Sequence, residues 1–203
     1  MDRFVLRENL RRYRAMLDGA ADPATRRRLQ ALIAEIEREH LFRDHIWTWT
    51  CPHIAVPEVL GDAAERLLDR IVLAEGADLG SLQLWDEAAG ALRLLAHHGF
   101  DRDSALRFAV VHDGTGSACE AAHARRQRVV IEDTETAEGL EATIEWSATV
   151  GVRAIQSTPV IREGRFLGVF STYFRAPRHF GDPAEAVSAW HARQVAELLM
   201  QIG

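Results

Sequence analysis

Apolar positions recur at two different spacings along the chain, and the spacing separates helical from strand-forming regions. In the helical regions they fall three or four positions apart, as on one face of a helix: residues 2–18, 23–40, 57–75 and 183–199. Between these helices lie short apolar runs of strand length: residues 79–85, 91–99, 152–161 and 166–174. The sequence therefore predicts helices at both ends of a sheet-forming centre.

Residues 1–46 are predicted to form a helical hairpin that precedes the main domain. Gly19 ends its first helix, since glycine is the usual residue just past a helix end. Asp22 and Pro23 start the second helix, as the N-cap and the first helical residue. Two apolar stripes alone bury little surface, so the hairpin must pack on the main domain or on its copy in a second chain. The two alternatives are compatible, and both stay open.

The connector at residues 41–56 is too aromatic for a free linker. Trp47 and Trp49 alternate, which predicts an extended segment packed on one side against the main domain. A helix then follows, with Pro57 at its first position and Gly76 just past its end.

The last two strands are predicted to form a hairpin whose faces follow from its turn. Glu163 and Gly164 suit a two-residue turn, because glycine accepts a positive φ angle. Such a turn pairs Arg162 with Arg165, and Gln156 with Ser171. Since side chains alternate, four polar side chains share one face: Gln156, Thr158, Ser171 and Tyr173. Buried polar groups need partners, which a polar ligand, ordered water or the covering helices could supply.

The segment Gly114-Thr115-Gly116-Ser117 opens a predicted helix over residues 118–126. Its glycines permit a tight turn, and the free amides at the start of the helix could hold an anion. The structural alternative is a turn with Ser117 as the N-cap.

These motifs in this order resemble the GAF domain, a small-molecule sensing module of phosphodiesterases, phytochromes and bacterial sensor kinases. Residues 116–133 and 152–174 carry most of the resemblance, which covers residues 57–203. It implies an α+β fold, with a central antiparallel sheet of five to six strands, helices on both faces, and the helical hairpin in front. It also implies that the first and last helices of the domain share one face of the sheet, and that the ligand pocket lies on the other.

The resemblance places the pocket between residues 114–119, residues 134–150 and the last two strands. It therefore adds Gly116, Ser117 and Cys119 to the predicted ligand-binding residues, beside Gln156, Thr158, Ser171 and Tyr173.

The composition of the chain limits the kinds of partner and the cellular compartment that we expect for it. The 203 residues carry a net charge of −6, which argues against a general nucleic-acid surface. Two cysteines far apart, Cys51 and Cys119, favour a reducing cytoplasm over a disulfide framework. No signal peptide and no apolar run of membrane-spanning length are evident, so we expect no contact with a membrane.

The cofactor remains unknown from the sequence. Bilin attachment is disfavoured because Cys119 is followed by Glu120 rather than histidine, and heme has only the pattern Cys51-Pro52 in its favour. The signature of cyclic-nucleotide-binding GAF domains includes a lysine, which this chain lacks. Cys119 and His123 share a helix face, but no second pair completes a metal site.

We expect a cytoplasmic, homodimeric sensory protein, not an enzyme, that binds a small molecule and signals to a partner such as a histidine kinase. One alternative is a ligand-free interaction module in which bulky residues such as Trp146, Phe108 or Tyr173 fill the pocket. Another is a thiol reductase similar to the GAF-type free methionine sulfoxide reductases. That enzyme uses several cysteines in this region, whereas this chain offers Cys119 alone.

Overall fold

The structure is a computed structural model that describes residues 12–13, 15–17, 19–20, 22–44 and 46–202, with side chains left out at residues 34–44. The chain divides into two compact units, Met1–His45 and Ile46–Gly203. The first helix of the predicted hairpin lies largely outside the described residues.

Helix α1 in the first unit spans Pro23–Asp44. Asp22 caps it as predicted, because its carboxylate accepts hydrogen bonds from the Thr25 amide at 2.8 Å and the Thr25 hydroxyl at 2.7 Å. Leu29 and Ile33 of the predicted apolar stripe are buried. The helix runs four residues beyond its predicted end.

The second unit contains six strands and six helices among its described residues. The strands are β1 (Leu79–Asp86), β2 (Ala91–His98), β3 (Val110–His112), β4 (Val129–Ile131), β5 (Ala154–Arg162) and β6 (Arg165–Phe174). The helices are α2 (Trp47–Thr50), α3 (Glu58–Glu75), α4 (Arg102–Arg107), α5 (Ala118–Arg125), α6 (Glu141–Val150) and α7 (Asp182–Leu199).

All six strands form one antiparallel sheet in the order β3-β2-β1-β6-β5-β4. The long strands β1 and β6 lie at its centre, and the three-residue strands β3 and β4 form its edges. The predicted α+β architecture with helices on both faces is therefore confirmed.

Different helices pack on the two faces of the sheet. On the helix face, Leu82 and Phe170 join a core cluster with Leu68 of α3 and with Val195 and Leu199 of α7. On the opposite face, which we call the pocket face, α4, α5 and α6 cover the strands; α5 contacts both β5 and β6. The first and last helices of the domain share one face, as the resemblance implies.

The aromatic connector differs in conformation from the prediction. Trp47 and Trp49 lie in the helical turn α2 and not in an extended strand. Trp47 is buried against α3, where a Cβ at Gly61 would approach the indole to 2.2 Å. The predicted docking of this segment onto the domain is confirmed, while its predicted extended conformation is wrong.

Helix α3 begins and ends close to the predicted positions. Pro57 is its N-cap and not its first helical residue. Gly76 ends it in the left-handed conformation, with φ at 64°, as expected for a glycine past a helix end. Across residues 22–202, no helix has the length and apolar character needed to cross a membrane.

Candidate functional site

The tip of the β5–β6 hairpin follows the prediction. Arg162 pairs with Arg165 across the turn. Glu163 and Gly164 both have positive φ angles, 53° and 77°, which two-residue hairpin turns of this class require.

Further from the turn, the register of the hairpin departs from the prediction. The pairing shifts between Val160 and Ile161, where one strand carries an extra residue. Gln156 therefore lies opposite Thr172, and its predicted pairing with Ser171 is wrong. Because side chains alternate, a shift of one residue exchanges the faces of all later side chains on one strand relative to the other.

The four strand residues predicted to share one face are consequently divided between two. Ser171 and Tyr173 lie on the pocket face, where they bond to Ser157 and Ser81. Gln156 and Thr158 lie on the helix face, where they bond to residues of α3 and α7. The predicted common face is wrong, and whether any of the four binds a ligand remains a prediction.

Six polar side chains on the pocket face form a group that we call the inner polar cluster: Ser81, Gln83, Cys119, Ser157, Ser171 and Tyr173. None of them is more than 3% exposed. The Ser81 hydroxyl bonds to the Tyr173 hydroxyl at 2.9 Å, and Ser157 bonds to Ser171 across the hairpin at 2.8 Å. This part of the interior is thus polar, although it is closed to solvent.

Gln83 has the one side chain of the inner polar cluster whose oxygen has no partner. Its Nε2 donates to the carbonyl oxygen of Phe108 at 3.3 Å. A backbone carbonyl can only accept, so this bond fixes which way the amide points. Oε1 of Gln83 then has no hydrogen-bond partner, although the side chain is 1% exposed. A buried oxygen without a partner costs about 1–3 kcal/mol, which a donor on a ligand would relieve.

Aromatic rings pack beside the inner polar cluster, and one of them is the indole of Trp146 in α6. Its ring centroid lies 4.9 Å from that of Phe108, 5.1 Å from that of Tyr173 and 5.5 Å from that of Phe100. Its Nε1 donates to the Ser104 hydroxyl at 2.9 Å. The indole therefore occupies the interior at the place where the resemblance puts a ligand.

The start of α5 is paired within the protein. Gly116 has a positive φ of 67°, and Ser117 caps the helix as predicted by accepting from the Glu120 amide at 3.3 Å. The Ala118 amide donates to the Thr143 hydroxyl of α6 at 2.8 Å. An anion at this helix start would have to displace both bonds.

Both thiols are buried and lie on opposite faces of the sheet. Burial raises the pKa of Cys119, against the opposing effect of a hydrogen bond with Ser117. Burial likewise raises the pKa of Tyr173, with the neighbouring Cys119 adding to the effect. Cys51 packs in the helix-face core, where burial raises its pKa to about 11. At neutral pH both cysteines are therefore protonated thiols.

A second polar group, the helix-face network, comprises Glu75, Arg128, Gln156, Thr172 and His191. Glu75 Oε1 bonds to His191 Nδ1 at 2.9 Å, while Oε2 accepts from the Thr172 hydroxyl at 2.7 Å and from the Gln156 amide. The Gln156 oxygen accepts two bonds from the Arg128 guanidinium, at 2.9 Å and 2.6 Å. The network thereby joins α3 and α7 to the two strands of the hairpin.

A cleft of about 460 Å³ lies beside the helix-face network. Its polar lining includes Glu75, Gln156, Arg178 and His179. The amide of Gln156 and the carboxylate of Glu75 are already paired within the network. Over residues 22–202, no group of three or more His, Cys, Asp and Glu side chains is arranged to hold a metal ion.

Seven residues of the two polar groups escaped the sequence analysis: Ser81, Gln83 and Ser157 on the pocket face, and Glu75, Arg128, Thr172 and His191 on the helix face. Glu75 continues the buried stripe of α3 at helical spacing from Leu68 and Val72, so an acid on an apolar stripe was the available signal. In β1, polar side chains at alternate positions on a central, buried strand were the corresponding signal.

The GAF-like fold described above agrees with the comparison of this sequence with known protein families. The sequence pattern of the GAF domain family matches residues 58–199, so the chain belongs to the GAF domain family. Among curated proteins, none matches this chain in sequence.

Solved structures support the same fold. A domain of a putative two-component sensor histidine kinase from Sinorhizobium meliloti is similar, at 26% identity over 70% of this chain and 90% of that one, with a TM-score of 0.57. The GAF domain region of a putative membrane protein from Geobacter sulfurreducens has 20% identity over 70% and 94%, with a TM-score of 0.62. Free methionine-R-sulfoxide reductase from Neisseria meningitidis has 16% identity over 70% and 78%, with a TM-score of 0.58.

Proposed function

We propose that this GAF domain is a regulatory module that binds a small molecule at the inner polar cluster and relays its presence to α3 and α7. The observation that carries the proposal is the buried Gln83 oxygen, which has no hydrogen-bond partner beside four buried hydroxyl groups and a thiol. A domain needing this interior for stability alone would be better served by apolar side chains there.

The hairpin offers a route from the pocket face to the helix face. Ser157 follows Gln156 on β5, and Ser171 precedes Thr172 on β6. A ligand that separates Ser157 from Ser171 shifts the backbone that holds Gln156 and Thr172 against Glu75. Such a ligand changes the equilibrium between two arrangements of α3 and α7 only by the difference between its affinities for them.

The proposed output is an altered contact with a second copy of the chain or with a signalling protein such as a histidine kinase. Exposed apolar side chains on α3 and α7 support it, with Leu73 82%, Val187 43% and Trp190 53% exposed. The similarity to a domain of a putative sensor histidine kinase favours the same kind of partner. We propose the cytoplasm as the location, since Cys51 and Cys119 are both free thiols.

A regulatory role fits the two cysteines better than an enzymatic one. A thiol reductase needs an accessible thiolate and a resolving thiol. Burial keeps Cys119 protonated by raising its pKa, and Cys51 packs on the other face of the sheet. Thiol-dependent reduction of free methionine sulfoxide by the purified protein would revive the enzymatic alternative.

The packing of Trp146 favours a second candidate, a ligand-free interaction module. Its ring already contacts Phe108 and Tyr173, so the interior beside the inner polar cluster is occupied. In this case the domain serves to display α3 and α7 to a partner.

The deciding experiment is native mass spectrometry of the protein purified from cells, with an absorbance spectrum of the same sample. Gln83→Met removes the carbonyl oxygen at nearly constant volume, and Gln127→Met makes the same change at an exposed position. We expect a bound small mass in the wild type and in Gln127→Met that is lost in Gln83→Met. A wild-type protein free of bound mass would favour the interaction module, and a mass retained by Gln83→Met would place the ligand elsewhere.

A further inference from the structure

The side chain of Trp146 shows what kind of molecule the interior beside the inner polar cluster accepts. Its planar ring meets Phe108 and Tyr173 nearly edge to face, with interplanar angles of 87° and 73°. Its single N–H group is satisfied by the Ser104 hydroxyl. Aromatic pairs favour this geometry, and a buried indole N–H needs such an acceptor.

This ring contacts the uncharged side chains of Phe100, Phe108, Tyr173 and Ser104, and Ser104 bonds in turn to the Asp101 carboxylate. The inner polar cluster offers hydroxyl groups, an amide and a protonated thiol, and the neighbouring rings are those of Phe100, Phe108 and Tyr173. Burial raises the pKa of both Cys119 and Tyr173, which shows that this interior disfavours negative charge. No charged side chain is hydrogen-bonded to the inner polar cluster among the contacts of the described residues.

Helix α6, which carries Trp146, is bounded by residues that can act as hinges. Gly139 and Leu140 precede it with φ angles of 71° and 57°, and Gly151 follows it with φ at 70°. Leu140 is the informative position, since a branched side chain rarely adopts the left-handed region without strain. Among the described residues, four side-chain hydrogen bonds tie α6 to the rest of the domain: Thr143 to the Ala118 amide, Trp146 to Ser104, the Ala142 carbonyl to Arg107, and the Val150 carbonyl to Arg175.

We propose that the site takes an uncharged, planar heteroaromatic molecule with at least one N–H donor, which replaces the Trp146 indole when α6 moves outward. The N–H group bonds to the free oxygen of Gln83, and the Ser104 hydroxyl released by Trp146 offers a second acceptor. This inference rests on the proposed function, because it names the ligand class of the same site.

Indole is the probe that tests this class directly. Trp146→Ala opens a space of the shape of indole beside the rings of Phe108 and Tyr173. Trp190→Ala removes a half-exposed tryptophan of α7 and serves as the matched control. We expect Trp146→Ala to bind indole at least about tenfold more tightly than either the wild type or Trp190→Ala in isothermal titration calorimetry.

Two analogues of indole test charge and the donor separately. Indole-3-carboxylate carries the same ring with a negative charge, and we expect it to bind Trp146→Ala at least about tenfold more weakly than indole, because its charge must be desolvated. Indene has nearly the same shape without the N–H group, and it should also bind more weakly. Equal affinity for indole and indole-3-carboxylate, or equal affinity of indole for Trp146→Ala and Trp190→Ala, would overturn the proposal.

The wild-type chain supplies a second measurement that does not depend on the folding of Trp146→Ala. Indole in excess should move the Trp146 Nε1–H resonance in a proton–nitrogen NMR spectrum, and the same concentration of indole-3-carboxylate should leave it unchanged. An unmoved resonance with indole would count against the proposal.

Different experimental results would contradict the proposed ligand class and the proposed sensory function. If indole binds as expected but no molecule accompanies the protein from cells, the ligand class stands and the sensory function falls. If a charged molecule accompanies the protein and is lost in Gln83→Met, the sensory function stands and the ligand class is wrong.

Discussion

The two faces of the sheet bury similar numbers of polar side chains, but these side chains differ in how completely they are hydrogen-bonded. In the helix-face network, Glu75 and Gln156 each use both terminal atoms of their side chains in hydrogen bonds. In the inner polar cluster, the hydroxyl groups pair locally, while the Gln83 oxygen has no partner. One face thus holds a saturated polar network, and the other holds an unsaturated one.

This difference bears on what each face can do. A saturated network resists change, because breaking any bond leaves a buried group without a partner. That suits a connection between the strands and α3 and α7. An unsaturated cluster gains energy when a donor arrives, which suits a binding site. The β5–β6 hairpin links the two, since neighbouring residues on each strand serve opposite faces.

The largest expected effect comes from breaking the helix-face network at its centre. Glu75→Leu leaves His191, Gln156 and Thr172 without their shared acceptor. We expect a loss of about 3–5 kcal/mol in the free energy of unfolding, measured by urea denaturation. Glu197→Leu on the exposed side of α7 is the control and should stay within about 0.5 kcal/mol of the wild type. Equal losses of unfolding free energy in both variants would show that the helix-face network does not stabilise the fold.

Alkaline pH tests the burial of Cys51 on the helix face. The pKa of Cys51 rises from 9.0 to about 11 on folding, so the folded state favours the neutral thiol. Its contribution is therefore complete below pH 9 and is lost as pH rises from 9 to about 11, by up to about 3 kcal/mol.

Cys51→Ala removes this titration while leaving the other groups in place. The measurement is the free energy of unfolding of both proteins at about pH 8 and about pH 10.5, compared as a difference of differences. The wild type should lose more stability than Cys51→Ala over this interval. Parallel losses would contradict the assignment.

One substitution made on each face compares the two clusters directly. Gln156→Met removes four hydrogen bonds from the helix-face network and should cost about 2 kcal/mol. Gln83→Met removes one weak bond together with the unpartnered oxygen, so the free energy of unfolding should stay within about 1 kcal/mol of the wild type or rise. Thermal and urea unfolding of the ligand-free proteins provide the measurement. A larger loss in Gln83→Met than in Gln156→Met would reverse the comparison.

The smallest expected effect concerns the start of α5. Ser117→Ala removes the side-chain oxygen that caps the helix and should cost about 1 kcal/mol in urea denaturation. Ser117→Thr keeps an oxygen at the same position and should recover most of that loss. A failure of threonine to rescue would indicate that Ser117 matters through its contact with Cys119 instead.

Element order and helix ends were predictable because their signals are local. Asp22, Gly76 and Ser117 act where the sequence puts them, and the Glu163-Gly164 turn has the expected conformation. The register beyond the turn was not predicted, because one extra residue near Val160 moves every later side chain.

A signal for that register shift was nevertheless present in β6. Gly168 pairs with Val160 at the point of the shift, and an isolated glycine inside a strand often marks a bulge or a close approach of backbones. A Cβ at Gly168 would come within 2.1 Å of the Gln83 carbonyl oxygen, so only glycine fits there. The sequence alone shows the glycine but not the strand that approaches it.

The conformation of the connector around Trp47 could not be predicted from the sequence, for a different reason. Alternation over Trp47 and Trp49 is too short to separate a strand from a helical turn. The outcome depends on Gly61 of α3, which leaves room for the Trp47 ring. That contact joins positions fourteen residues apart, and no local pattern reports it. The site was likewise half predictable. Ser171 and Tyr173 required only alternation, and Trp146 was expected as a residue that fills the pocket. Gln83 was missed because its bond to the Phe108 carbonyl joins distant positions of the chain.

The edges of the sheet bear on how this protein behaves at high concentration. Strands β3 and β4 are three residues long, so each edge presents few free amide and carbonyl groups to another chain. Short edges of this kind suppress the strand-by-strand growth that seeds fibrils. If α3 and α7 bind a partner as proposed, the short sheet edges add little risk of unwanted strand pairing at the same time.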